Sequence, residues 1–263
     1  MSLPPPADLA IAVLRWLEYA GLLGFIGVVV VRRLAGMQPQ IRWARPSMEP
    51  ALAAAFTGGM LVLGADWLRV GHPNPAVVVR VAAEGIALGS CIFLRRWAVP
   101  PALLAVLALP FAGHAAAVEP AGGAIFTDAV HVLSAGMWGG GILVLATLRP
   151  PEGWGVGEGR AMLERFGRVA FLAFAITALT GVLRAAAVVA DVSSLWTSSY
   201  GVVLVAKTVG VLVMVAISVL GWRRGPRYAR LDGLLVLLVL AATALLAAYP
   251  MPLYPQSIQL VTH

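Results

Sequence analysis

Residues 113–141 read GHAAAVEPAGGAIFTDAVHVLSAGMWGGG. Two of the chain's four histidines, His114 and His131, stand at opposite ends of one short polar connection. On either side of that connection the sequence is almost unbroken hydrocarbon. The pattern predicts two membrane helices meeting at a water-facing loop, each offering one imidazole to the same small space. His131 falls about one turn into the second helix, with Asp128 and Ser134 three residues to either side of it and so on the same face.

Working outward, a transmembrane helix needs roughly 20 mostly apolar residues. About eight segments meet that test, at 9–33, 50–69, 76–94, 98–116, 126–148, 163–190, 199–221 and 230–249. The expected fold is therefore all-α, a polytopic membrane helix bundle of about eight transmembrane helices. Composition agrees. The 263 residues are 60% hydrophobic and 12% charged, about half the charge content of an ordinary soluble domain. A net charge of +7 would suggest nucleic acid if the basic residues formed one patch. They come instead in bursts between apolar runs, so no nucleic-acid partner is expected and membrane lipid is.

The bursts also orient the bundle. Arg32, Arg33, Arg42 and Arg45 lie between the first two helices, and Arg95 and Arg96 between the third and fourth. Arg149 and Arg160 follow the fifth, and Arg223, Arg224, Arg227 and Arg230 the seventh. The alternate connections, 71–75, 117–125 and 191–198, hold no Lys or Arg. By the positive-inside rule, the N-terminus, the connection between His114 and His131, and the C-terminus are expected outside, which in a bacterial inner membrane is the periplasmic side. Residues 1–263 read as a single transmembrane domain, with 251–263 a periplasmic tail too rich in proline to extend the last helix. The start of the chain lacks a basic n-region and a small-residue cleavage site, so the first apolar segment is expected to be kept.

Ionisable groups within spans are costly and by default suggest function. They are Arg15, Glu18, Asp66, Arg69, Arg80, Glu84, Arg184 and Lys207. Arg15 with Glu18, Asp66 with Arg69, and Arg80 with Glu84 have the spacing to neutralise each other on one helix face. Arg184 and Lys207 have no local partner; Asp191, Glu84 and Asp66 are candidates for one, and Lys207 is expected to meet an acidic or carbonyl group on another helix. A carboxylate beside an imidazole suits a metal site, as ligand or as orienting group. His114, His131 and Asp128 are accordingly the candidate ligands, with Met137 and Trp138 one to two turns further along. Imidazole with thioether suits copper, and imidazole with carboxylate suits several divalent metals. Two histidines from facing helices also suit a b-type haem, and both rings capping helix ends or bonding carbonyls is the competing structural reading. Other chemistries find no support. The single Cys91 excludes an intrachain disulfide and a multi-thiolate zinc site. Phosphate-loop, nucleophile-elbow and paired-histidine zinc motifs are absent from the sequence, so no enzyme activity is expected.

Three stretches resemble the copper resistance protein D family (CopD/PcoD-like). The first holds Gly113, His114, Ala115, Asp128, His131, Trp138, Gly139 and Gly140. The second is RFGRVAFLAFAITALTGVLRA, from Arg165 to Ala185, with its Leu-Thr-Gly. The third begins YGVVLVAK, where Tyr200, Gly201 and Lys207 match. Together they make residues 98–250 the CopD-like core. In the first helix, where the family often has a histidine, this chain places Glu18, an oxygen donor. The resemblance implies a multi-pass bacterial inner-membrane protein of copper resistance. It implies one that transports copper inward, from a periplasmic donor such as a CopC-type chaperone. A b-type haem electron-transfer subunit and a non-transporting subunit of a larger membrane complex are the alternatives.

Overall fold

The computed structural model describes residues 4–72, 74–94, 97–112, 121–189, 191–220 and 226–249. Everything described that is regular is helical. The elements are α1 (Pro6–Ala35), α2 (Glu49–Val70), α3 (Pro75–Phe93), α4 (Val99–Ala108) running into a 3-10 turn (Leu109–Ala112), α5 (Ala121–Ala135), a π-helical segment (Gly136–Gly140), α6 (Gly141–Thr147), α7 (Gly157–Val188), the short α8 (Ser194–Thr197), α9 (Ser199–Leu220) and α10 (Pro226–Leu246). Counting α5 through α6 as one run from Ala121 to Thr147, seven helices among the described residues are long and apolar enough to cross a membrane. The chain is an all-α bundle with several membrane-spanning helices, as expected.

Of the fourth helix's expected range of 98–116, residues 113–116 lie outside the described residues. The described part, Val99–Ala112, is an apolar helix tightened from Leu109 into a 3-10 turn that contains Pro110. Proline has no N–H to continue an α ladder and crowds the preceding turn. The fifth begins at Ala121 rather than 126, so Gly122 and Gly123, loop formers by propensity, are helical. The sixth begins at Gly157, two turns before its apolar part, and an Arg160–Glu164 pair at 2.8 Å spans one turn of that polar extension.

α1 is the axis of the bundle. Its buried residues serve two cores. Leu22, Phe25 and Ile26 pack with Leu52 and Ala55 of α2, Ala83 and Ala87 of α3 and Ala102 and Ala105 of α4. Leu23, Val28, Val31 and Leu34 pack with Trp138, Ile142, Leu145, Phe166 of α7 and Val236 of α10. Two faces of one helix thus hold the N-terminal and C-terminal halves of the chain together. α7 and α9 stand at the periphery with much of their apolar surface uncovered, including Phe171, Leu179, Val182 and Val219, the surface a lipid-facing helix presents.

Contact between α1 and the π-helical segment is backbone to backbone. A Cβ on Gly27 would lie 2.1 Å from the Gly140 carbonyl oxygen, and one on Gly140 would lie 2.0 Å from that of Leu23. In a membrane, where hydrocarbon offers no hydrophobic drive for helix association, such close approach supplies the dispersion contact that holds helices together. π turns, with their i→i+5 bonds, are uncommon and concentrate at functional sites. Here the turn follows directly after the face that carries His131.

The connections are tied down by polar contacts. Asn74 caps α3, accepting from the Ala76 N–H at 2.9 Å, and Gly71 ends α2 in the left-handed conformation at φ +79°. Arg165 of α7 donates to the carbonyls of Leu34, Met37 and Pro39 at 3.0, 3.2 and 2.8 Å, pinning the connection after α1. Trp43 in that connection meets Trp154 edge to face, with ring centroids 5.7 Å apart.

Candidate functional site

His131 faces α7. Its Nδ1 lies 3.0 Å from Oγ1 of Thr180. That hydroxyl has a single proton, and it is directed back along α7 to the carbonyls of Ile176 at 2.7 Å and Thr177 at 3.1 Å. With that proton directed there, Thr180 is placed to accept from the ring, the arrangement of the tautomer in which Nδ1 carries the hydrogen. A ring oriented through one nitrogen by a fixed hydroxyl is how metal-ligating histidines are held. The ring has room because residue 181 is glycine: a Cβ there would stand 3.4 Å from His131 Cε1.

Hydroxyl groups continue the polar face one turn further. Thr177 Oγ1 lies 2.8 Å from Ser134 Oγ and 2.8 Å from the Ala173 carbonyl, and Ser134 donates to the His131 carbonyl at 3.1 Å. Trp138 then closes the interface against Phe174, edge to face with centroids 4.9 Å apart. Met137 is half-buried and packs against both cores, which is a filling role.

Charge gathers on the other side of His131. Asp128, buried, is ion-paired to Arg184 of α7. Of the three candidate partners for Arg184 read from the sequence, none is its partner; the carboxylate is Asp128, one turn from the histidine. Lys207 of α9 lies close enough to act electrostatically on His131, as does Arg184. Asp128 acts electrostatically on Lys207 as well. The site is thus one imidazole and one carboxylate from α5, with a cation each from α7 and α9.

His114 lies outside the described residues, so its meeting with His131 at a shared ion is not placed. Among the described residues, three or more His, Cys, Asp and Glu side chains do not gather at any one point.

The remaining intramembrane charges pair across helices more than along them. Arg80 Nε lies 2.6 Å from Glu18 Oε1 on α1 and 4.0 Å from Glu84 Oε1 on its own helix. Arg15 turns away from Glu18 and donates to the Ala247 carbonyl at 3.3 Å. Arg69 pairs with Asp8 at 2.5 Å rather than with Asp66, which is half-buried. The reason is geometric. Residues three or four apart on a helix are neighbours, but Arg80, reaching across to α1, finds in Glu18 a carboxylate already stripped of water, where the attraction is stronger; the Arg69–Asp8 pair is exposed.

Sequence reasoning missed Thr180 and Gly181 as parts of the site. Their signal was present: Thr177, Thr180 and Arg184 recur at the spacing of one helical face, and Thr180-Gly181 is the Leu-Thr-Gly of the second resembling stretch.

Comparison with known proteins bears out the family resemblance. The family model described as copper resistance protein D matches residues 160–249. The match takes in α7, α9 and α10, and so Thr177, Thr180, Arg184 and Lys207, and it begins beyond His131 and Asp128. Copper transport protein CutJ of Bacillus subtilis (strain 168) is 34% identical over 128 residues. Those residues are 46% of this chain and 24% of the relative, so the chain spans about a quarter of that protein's length. No solved structure matches.

Proposed function

We propose that this chain, whose residues 160–249 match the copper resistance protein D domain, is a copper-handling membrane protein in which His131 receives copper as transported substrate. One observation carries the reading. The wall that the family domain contributes, Thr180 above all, holds the His131 ring through Nδ1, which supports a tautomer with Nε2 turned to an ion. The copper transport relative and the imidazole of His131 support copper over a hard cation such as Mg²⁺, which takes oxygen ligands.

Arrival of a cation at His131 meets Arg184 and Lys207, and it competes with the Arg184 guanidinium for Asp128. Binding and release then exchange one positive partner of Asp128 for another, which keeps the carboxylate compensated throughout. That is the chemistry of a transit site, where an ion must enter and leave. The protein acts as a carrier and not as an enzyme. It resides in a bacterial inner membrane with its termini and the 113–120 connection outside, as the arginine distribution supports, and takes copper inward from a periplasmic donor of the CopC kind. His114, at the edge of that connection, is the first ligand the ion meets.

Copper bound per protein, measured on purified wild type, H114A and H131A, tests the reading. Wild type should bind copper and H131A should lose it while remaining folded. Unchanged stoichiometry in H131A would refute the assignment, and a haem absorption band in the wild type would assign the histidine to a b-type haem instead. Cysteine labelling at residues 40 and 155 from the cytoplasm and at 120 and 195 from outside tests the orientation.

A further inference from the structure

Among the described residues, a second group of deeply buried ionisable side chains lies apart from His131. Glu18 of α1 and Glu84 of α3 are 0% and 1% exposed, with Arg80 of α3 at 4%. α2 passes over them with glycines. A Cβ on Gly59 would stand 2.2 Å from Glu84 Oε2 and 3.3 Å from Glu18 Oε1, and one on Gly58 would strike the Glu18 backbone at 2.5 Å. The space is therefore shaped around the two carboxyl groups and closed by backbone.

The donors do not suffice for the acceptors. Arg80 reaches Glu18 Oε1 at 2.6 Å and stands 4.0 Å from Glu84 Oε1. Glu18 Oε2 and both oxygens of Glu84 are buried and find no N–H or O–H donor among the described residues. Arg15, the other cation acting on Glu18, gives its guanidinium N–H to the Ala247 carbonyl. Yet the two carboxyl groups converge on one point, since the same Gly59 Cβ position lies 2.2 Å from Glu84 Oε2 and 3.3 Å from Glu18 Oε1, and one Arg80 Nε stands between them. Two ionised carboxylates are acceptors only, and buried together without donors they would carry a desolvation penalty of several kcal/mol. A single proton removes the conflict: it supplies the missing donor and leaves one negative charge facing one guanidinium.

We infer that Glu18, Glu84 and Arg80 form a proton-binding site within the membrane, in which the two carboxyl groups share one exchangeable proton against the Arg80 guanidinium. Uptake forms one O–H bond at a carboxyl oxygen as water or a neighbouring donor gives its proton up; release reverses this, and no electron moves. The charged and titratable groups facing the pair are Arg80 on α3 and Arg15 and Tyr19 on α1, and α2 contributes Gly58 and Gly59. Glu18, Glu84 and Arg80 share no residue with the group around His131.

Infrared spectroscopy of the full chain in metal-free vesicles tests the inference without reference to copper. Wild type should show the C=O stretch of a protonated carboxyl group at neutral pH, slow to shift in deuterium oxide. E18Q and E84Q should each lose that band, because the remaining carboxylate then pairs with Arg80 alone. Persistence of the band in either single variant would overturn proton sharing, and persistence in the double variant would place the band elsewhere in the protein. A wild-type spectrum without the band overturns the inference whether or not the variants fold.

Discussion

Thr180→Val isolates what the family domain does for His131. Valine matches threonine in shape and removes the hydroxyl. The lost contact is the 3.0 Å bond from His131 Nδ1; the bond from Oγ1 to the Ile176 carbonyl is local to α7, and that carbonyl also accepts a helix N–H. An ordinary hydrogen bond contributes roughly 0.5–1.5 kcal/mol, and leaving a buried donor without an acceptor costs about 1–3 kcal/mol. Loss of a group that orients a metal-ligating histidine lowers affinity by about 10- to 100-fold, which is about 1.4–2.7 kcal/mol at one decade per 1.4 kcal/mol. The two figures agree, because the same bond is counted once as stability and once as ligand orientation. Competition between the purified protein and a Cu(I) chelator measures the affinity, and thermal unfolding in detergent measures the stability. T180V should lose one to two decades of affinity, and T180S should recover most of it. Wild-type affinity in T180V, with H131A inactive in the same assay, would show that the ring is not set by Thr180.

Arg184→Gln frees Asp128 from its ion pair and removes a cation from beside His131. Because the guanidinium is about 41% exposed, solvent screens the effect, and the same chelator competition should show a gain of at most about fivefold; a loss would contradict the exchange of partners at Asp128. Gly140→Val drives a side chain into the Leu23 carbonyl and should lower stability by about 1–3 kcal/mol or more, whereas Gly24→Ala meets Ala51 Cβ at an ordinary 3.7 Å and should unfold at the wild-type temperature. At the turn between α7 and α8, the Ser193 hydroxyl and the N–H groups of Ser193 and Ser194 hold the Asp191 carboxyl below the usual aspartate range. Stability from that cap is present above the ordinary aspartate pKa and is lost as pH falls through the lowered one, so the Ser193 and Ser194 amides should exchange faster only in that acidic window.

The helices were legible in the sequence because hydrocarbon runs of membrane length leave few other solutions. The 3-10 turn after α4 was not legible: the run is apolar throughout, but Pro110 acts on backbone geometry, to which a hydropathy pattern is blind. Pairings among buried charges were the least legible. Spacing along one helix brought Arg80 to Glu84, and the register between α1 and α3, which brings it to Glu18, is a property of packing. Asp128 and His131 were read as one face, and the structure gives that face a partner in Thr180 and Arg184. The glycines of the π-helical segment pack closely against α1, but nothing in GMWGG distinguishes an i→i+5 turn from an α turn.

That segment makes the run from Ala121 to Thr147 a helix with two registers. Before it, α5 turns His131 and Ser134 toward α7; after it, α6 turns Ile142 and Leu145 toward α1 and α10. Were that turn to tighten into plain α geometry at unchanged length, every later side chain would swing by about 100° at 3.6 residues per turn, carrying Leu145 off its core while His131 stayed in place. Deleting one residue from Gly136–Gly140 would instead mend the helix and leave the later side chains in phase. The extra residue works as a vernier, letting one helix turn His131 to α7 at one end and serve a structural core at the other. A helix of this design absorbs a change of length at one place, the turn that already holds the extra residue.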